Sequence, residues 1–173
     1  MIQIKNAAEL EKMRKACAIS AAALKAGGEA IEPGITTAEI DKIIYDFIVR
    51  HGARPNFLHL YGFPATACIS VNDTVIHGIP NKQQQIRPGD IVSIDTGCKI
   101  DGFNGDNACT YGCGKLDLEA QRLLDVTKES LHRGIEMARG GNRIGDIGHA
   151  VQSYVEENGF SVVRTFVGHG VGK

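Results

Sequence analysis

No run of about 18 consecutive apolar residues occurs in the 173-residue chain, so the sequence offers no membrane-spanning helix. The amino terminus alternates charged with apolar residues and lacks the continuous apolar core of a signal peptide, so a cytoplasmic location is expected. An excess of one charge is lacking too. Lys and Arg number 19 against 20 Asp and Glu, net −1, without a basic run, which argues against a nucleic-acid or anionic-membrane partner. The five cysteines, Cys17, Cys68, Cys98, Cys109 and Cys113, are odd in number and show no CxxC spacing, so reduced thiols are expected and no disulfide framework. Cys109 and Cys113 could hold zinc only with two further ligands, and no matching pair stands out. What is there, 43% hydrophobic and 23% charged residues, is ordinary globular composition with length for one large domain or two small ones.

Helices come first along the chain. Asn6-x-x-Glu9 can cap a helix that runs to Gly27 or Ile31, with Leu10, Met13, Cys17, Ala21 and Leu24 on one stripe. Pro33-Gly34 breaks it, and the capping box Thr36-Thr37-Ala38-Glu39 opens a second helix with Ile40, Ile43, Ile44, Phe47 and Ile48 on its apolar face before Gly52. Arg54 to Ala65 is irregular and aromatic, either a loop packed on the core or a pocket wall. Residues 67–71, Asn72-Asp73 and 74–77 read as a hairpin that ends at His77, and Lys82 to Arg87 as a polar loop. A third helix is expected over 117–139, with Leu123, Leu124, Leu131 and Ile135 apolar, a fourth over 144–158, and a strand over Ser161 to Val167.

The centre of the sequence is the ribbon Ile91 to Tyr111, whose Asp101-Gly102 is the strongest short signal for a two-residue hairpin loop. With that loop, Ile100 faces Phe103 and Asp106 lies opposite Gly97, two residues from Asp95. Equal parity puts Asp95 and Asp106 on one face, as diagonal neighbours roughly 7–8 Å apart, and Gly97 leaves room between them. Two meanings stay open: solvent-facing acids on the polar side of a half-exposed ribbon, or carboxylates that converge on a divalent cation, which would relieve their repulsion.

A shift of 107 residues places Gly34 on Gly141, Glu39 on Asp146, Ile40 on Ile147, Ile44 on Val151, Phe47 on Tyr154, Ile48 on Val155 and Gly52 on Gly159. The chain reads as a duplicated helix-helix-sheet unit: one catalytic-type domain, 1–173, with a first repeat over about 7–111 and an incomplete second over about 117–173.

Taken together, Ser70-Val71-Asn72, His77-Gly78-Ile79-Pro80, Pro88 to Asp95, Asp101 to Asp106 and Gly168-His169-Gly170 resemble the type I methionine aminopeptidases of the bacterial kind. The resemblance implies an α+β pita-bread fold of the creatinase and aminopeptidase kind, pseudo-two-fold, with its second unit incomplete here. By position, Asp95 resembles the bidentate ligand of one metal, Asp106 the carboxylate that bridges two, and His169 the imidazole ligand of the second. His77 resembles a catalytic, substrate-contacting histidine, and Phe63 and Cys68 match positions that line the methionine pocket, while Phe57 and Leu60 fall where the family often has other residues. The implied cofactors are two divalent ions (Co, Mn, Fe or Zn), with one or none in this chain. The implied activity is removal of the N-terminal methionine by attack of a metal-activated hydroxide on the first peptide bond. The implied partners are nascent polypeptides that begin with Met, at the ribosome. The family's second half adds a histidine and two glutamates with no counterpart in 1–173, so a truncated form with little or no activity is expected. A non-catalytic pita-bread binding protein and an aminopeptidase P or prolidase are the alternatives. His51, His132 and His149 read as surface or helix-end residues, and His59 as a packed loop side chain or a substrate contact.

Overall fold

The structure, a computed structural model, describes residues 3–173. Its elements in chain order are α1 (Ala7–Glu29), α2 (Thr37–Arg50), β1 (Arg54–Pro55), a 3-10 turn (Leu60–Gly62), β2 (Ala67–Val71), β3 (Ile91–Ile100), β4 (Phe103–Gly112), α3 (Leu118–Met137) and α4 (Ile144–Glu157). They form two compact units, one of residues 3–116 with 170–173 and one of residues 117–169. Among the described residues no helix is long and apolar enough to cross a membrane.

In the first unit β3 is the central strand. It pairs antiparallel with β4 along one side, and with β2 and β1 in series along the other. Asp101 and Gly102 both have positive φ, 52° and 84°, the backbone of a two-residue turn whose twist matches its strands. The register is the one the turn predicts: Ile100 opposite Phe103, Gly97 opposite Asp106 and Asp95 opposite Ala108. The apolar face of this sheet carries Ala67, Ile69, Val71, Val92, Ile94 and Cys98, which join Ala23, Leu24, Ile40, Ile44 and Ile48 of α1 and α2 in one core. Ile40, Ile44 and Ile48 are fully buried, each stabilising the fold by about 1.5–3 kcal/mol.

Both expected capping boxes form: Asn6 Oδ1 accepts from Glu9 N–H, whose carboxylate accepts from Asn6 N–H, and Thr36 and Glu39 reciprocate in the same way. The buried face of α1 differs from the expected stripe. Leu10 is exposed, and the buried residues are Ala16, Ser20, Ala23, Leu24, Gly27 and Gly28. The helix lies so close to the sheet that small residues are needed. A Cβ on Gly105 would stand 2.4 Å from the Ala16 carbonyl oxygen, and one on Gly28 would overlap the Tyr111 ring at 2.2 Å.

Two expected strands do not form. After β2 the chain turns at Asn72, but 74–77 pairs with nothing as a strand; Gly78 alone returns to accept the Ile69 N–H at 2.8 Å. Ser161 to Val167 is irregular. β-branched residues favour extended backbone, yet a strand exists only where a neighbour completes its ladder. The polar loop 82–87 forms as expected, but its Ile86 is buried at 1% exposure and belongs to the core.

The second unit is the helix pair α3 and α4. Asp117 caps α3 through Ala120 N–H at 2.7 Å, and Asp146 Oδ2 accepts from Arg143 N–H at 2.7 Å at the start of α4. Arg133 lies 3.8 Å over the Tyr154 ring. Of the expected α3 stripe, Leu123, Leu131 and Ile135 are exposed, and the buried positions are Val126, Ser130 and Gly134.

Gly105→Ala is expected to destabilise the chain by about 1–3 kcal/mol, measured by urea unfolding, because its Cβ would meet α1 backbone and not a side chain that can move. An unchanged midpoint would show that α1 can lift from β4 at no cost.

Candidate metal centre

The sheet has a second face, and its residues are of a different kind. Ser93, Asp95, Gly97 and Lys99 of β3 stand in register with Thr110, Ala108, Asp106 and Asn104 of β4, while Cys68 and Ser70 of β2 oppose Asp95 and Ser93. The pleat sends these side chains away from the core that α1 and α2 cover. Asp95 and Asp106 are half-buried, and Ser93 and Thr110 share a hydrogen bond at 2.8 Å.

Cys68 records the charge of this face. Its thiol pKa is pushed up to about 12 by burial first, and then by the negative charges of Asp95, Asp106 and Asp41. The side chain therefore remains a neutral thiol at physiological pH.

The room at Gly97 is filled. A Cβ there would come within 3.2 Å of the Phe57 ring and 3.3 Å of the Asn56 side-chain amide, and Asn56 N–H donates to Gly97 O at 2.9 Å. The absent side chain thus admits the 56–57 turn onto the carboxylate face, a role that the glycine's position alone does not reveal. Phe63 is half-buried, and its carbonyl accepts from His59 N–H at 2.8 Å. His59 and Tyr61 in the same loop have positive φ, 69° and 50°. His77 is exposed, with φ 56°.

His169 is an exposed residue of the second unit, so among the expected ligands the first unit by itself brings together Asp95 and Asp106. Among the described residues no three His, Cys, Asp or Glu side chains gather as a group that could hold a metal ion. The donor chemistry still suits one: two hard carboxylates on one strand pair, with a field strong enough to act on a neighbouring thiol, match an oxygen-seeking divalent cation.

Sequence reasoning missed Asp41. This α2 residue accepts from Thr66 N–H at 2.9 Å and Ala67 N–H at 2.8 Å, which ties α2 to the first residue of β2, next to Cys68. Its signal was an acid three and seven residues before the buried Ile44 and Ile48.

The chain belongs to metallopeptidase family M24, whose model its residues 11–173 match; the enzymes of this family are metal-dependent hydrolases. Methionine aminopeptidase from Clostridium perfringens is 51% identical to it over 173 residues, which is 100% of this chain and 69% of that protein. Methionine aminopeptidase 1 of Bacillus subtilis is 45% identical with the same coverage. The crystal structure of methionine aminopeptidase from Thermotoga maritima matches with a TM-score of 0.97 at 40% identity, over 99% of this chain and 69% of that one. The architecture is accordingly the pita-bread fold, over the part that these 173 residues cover.

Burial raises the Asp41 pKa above its ordinary 3.8, against the two amide hydrogen bonds that lower it. A raised acid pKa means that the folded chain holds the proton more tightly than the unfolded one. The associated stability is present below the unfolded pKa and lost as pH rises through the folded one. Asp41→Asn keeps an acceptor without the charge. Its melting temperature relative to the parent chain is expected to climb as pH rises from about 3 to about 6; parallel curves would contradict this.

Proposed function

We propose that the chain is a methionyl aminopeptidase of the M24 family, with Asp95, Asp106 and His169 as ligands for a divalent metal, His77 as a substrate contact, and Phe63 and Cys68 in the methionine pocket. The observation that carries the proposal is the pair Asp95 and Asp106 on one face of the β3–β4 hairpin, in a chain 51% identical over its whole length to a methionine aminopeptidase. That identity favours it over an aminopeptidase P or a prolidase. The two carboxylates favour it over a binding module, which has no use for like charges held side by side.

The residues have separable tasks. Asp95 and Asp106 concentrate negative charge where a cation would sit, and the His169 imidazole would supply a borderline nitrogen donor. A divalent ion, when bound, supplies Lewis acidity toward the peptide carbonyl and lowers the pKa of water. This donor set does not choose among Mn(II), Fe(II), Co(II) and Zn(II) by affinity alone. Cys68, neutral because its pKa is about 12, adds no third charge and presents a soft, polarisable surface. With the Phe63 ring it suits a thioether. The His77 imidazole can donate a hydrogen bond to the substrate amide or to a developing oxyanion. The expected substrates are nascent polypeptides that begin with Met, in the cytoplasm and at the ribosome, a setting in which five free thiols stay reduced.

The ligand positions assigned here are Asp95, Asp106 and His169, so metal binding is the first readout. Calorimetric titration of Mn(II) is expected to show binding, weakened roughly tenfold or more in Asp95→Asn and in Asp106→Asn. Equal binding by all three chains would overturn the ligand assignment. Methionine release from a Met-Ala-Ser peptide by this chain is expected to need added Mn(II) or Co(II). Release that survives chelation, or Asp95→Asn, would overturn the functional assignment.

A further inference from the structure

His77 holds a left-handed backbone, φ 56°, which a residue other than glycine keeps only where its surroundings over-determine it. The residues before it do not supply that restraint: Thr74, Val75 and Ile76 are exposed and outside any strand. The restraint lies immediately after it. Gly78 donates its N–H to Ser70 Oγ at 3.0 Å and accepts the Ile69 N–H at 2.8 Å. A Cβ on Gly78 would stand 2.2 Å from the Ile69 carbonyl oxygen and 2.9 Å from Ser70 Cα, so its backbone is pressed against β2. Of the two hydrogen bonds, one is backbone to backbone. The other depends on a single hydroxyl.

Ser70 is 4% exposed and sits on the carboxylate face, on the same strand face as Cys68 and opposite Ser93. A buried Ser in an edge strand is not needed for the ladder, which its backbone already makes. It is needed for the Gly78 N–H, which has no ladder partner on β2.

We propose that Ser70 is a positioning residue: by accepting the Gly78 N–H it fixes the backbone of His77 and so sets where the imidazole is presented beside the Cys68–Asp95 face. The functional meaning rests on His77 as a substrate contact, but the positioning itself can be tested without that.

The test compares the parent chain with Ser70→Ala and Ser70→Thr by amide hydrogen exchange and by the imidazole NMR signals of His77. In Ser70→Ala the Gly78 amide is expected to exchange about tenfold faster and the His77 signals to move, while the Val92 and Ile94 amides of β3 keep their protection. Ser70→Thr, which restores the hydroxyl, should return both toward the parent. The proposal is overturned if Ser70→Ala leaves Gly78 exchange and the His77 signals unchanged. It is equally overturned if β3 loosens as much as Gly78 does, the mark of a purely structural role. A chemical-shift titration with Met-Ala-Ser peptide separates the two levels. If Ser70→Ala moves His77 while His77→Ala binds peptide as the parent does, the positioning stands and the substrate role of His77 falls.

Discussion

A two-residue turn holds the candidate site in register. Asp101 and Gly102, both at positive φ, allow one pairing of β3 with β4, and that pairing puts Asp106 across from Gly97 and diagonal to Asp95. A slip of β3 by one residue would turn Asp95 toward the core and expose Val92, Ile94 and Cys98. The cost would be severe on both sides, since an unpaired buried charge and a lost apolar face each destabilise by several kcal/mol. The core therefore fixes the carboxylates by exclusion: α1 and α2 claim one face of the sheet, and the acids occupy the other. The Lys15–Asp101 ion pair at 2.7 Å ties the turn to α1, but both partners are half-exposed, and such pairs contribute about 0–1 kcal/mol.

The duplication noted in the sequence extends to packing. Gly27 of α1 meets Ile44 of α2, where an added Cβ would stand 2.7 Å from Ile44 Cδ1; Gly134 of α3 meets Val151 of α4, at 2.9 Å from Val151 Cγ2. Each pair lies 107 residues from its counterpart. Gly34 and Gly141 share φ 97°, and Gly52 and Gly159 have 71° and 78°. The same helix-helix contact is thus built twice from a glycine and a β-branched residue, which sets the distance between the helices in each unit. The units differ in what covers the first helix. Leu24 is 7% exposed under the sheet, whereas Leu131, its counterpart by the same shift, is 57% exposed.

What was legible in the sequence is what local chemistry decides. Helix caps, the Asp101-Gly102 turn and the strand register each depend on a few adjacent residues, and they appear where the sequence places them. What was not legible depends on distant partners. Thr74 to Ile76 has strand-forming residues but no ladder, and the small-residue face of α1 follows from how closely it approaches Gly105. The same holds at the site. The parity of Asp95 and Asp106 could be counted, but the filling of the Gly97 space by Phe57 and Asn56, and the Asp41 clamp on Thr66 and Ala67, arise between residues far apart in sequence. Ser161 to Val167 combines both causes, with apolar alternation in the sequence and no partner strand among the described residues.

The charge on the site face argues for what the face is for. Asp95, Asp106 and Asp41 all act on Cys68 in the same direction, so the β2 edge lies in a concentrated negative field. A surface meant only to be soluble has no reason to hold carboxylates as diagonal neighbours beside a buried thiol, because each raises the cost of ionising the others. A surface meant to receive a cation gains from that arrangement. On the proposed reading, a bound cation would relieve the repulsion between neighbouring carboxylates, and the neutral thiol at the edge of the face would suit an uncharged side chain. Hard acceptors and a soft wall on adjacent strands therefore divide one face into a charged part and an apolar part, the division that a metallopeptidase for N-terminal methionine needs.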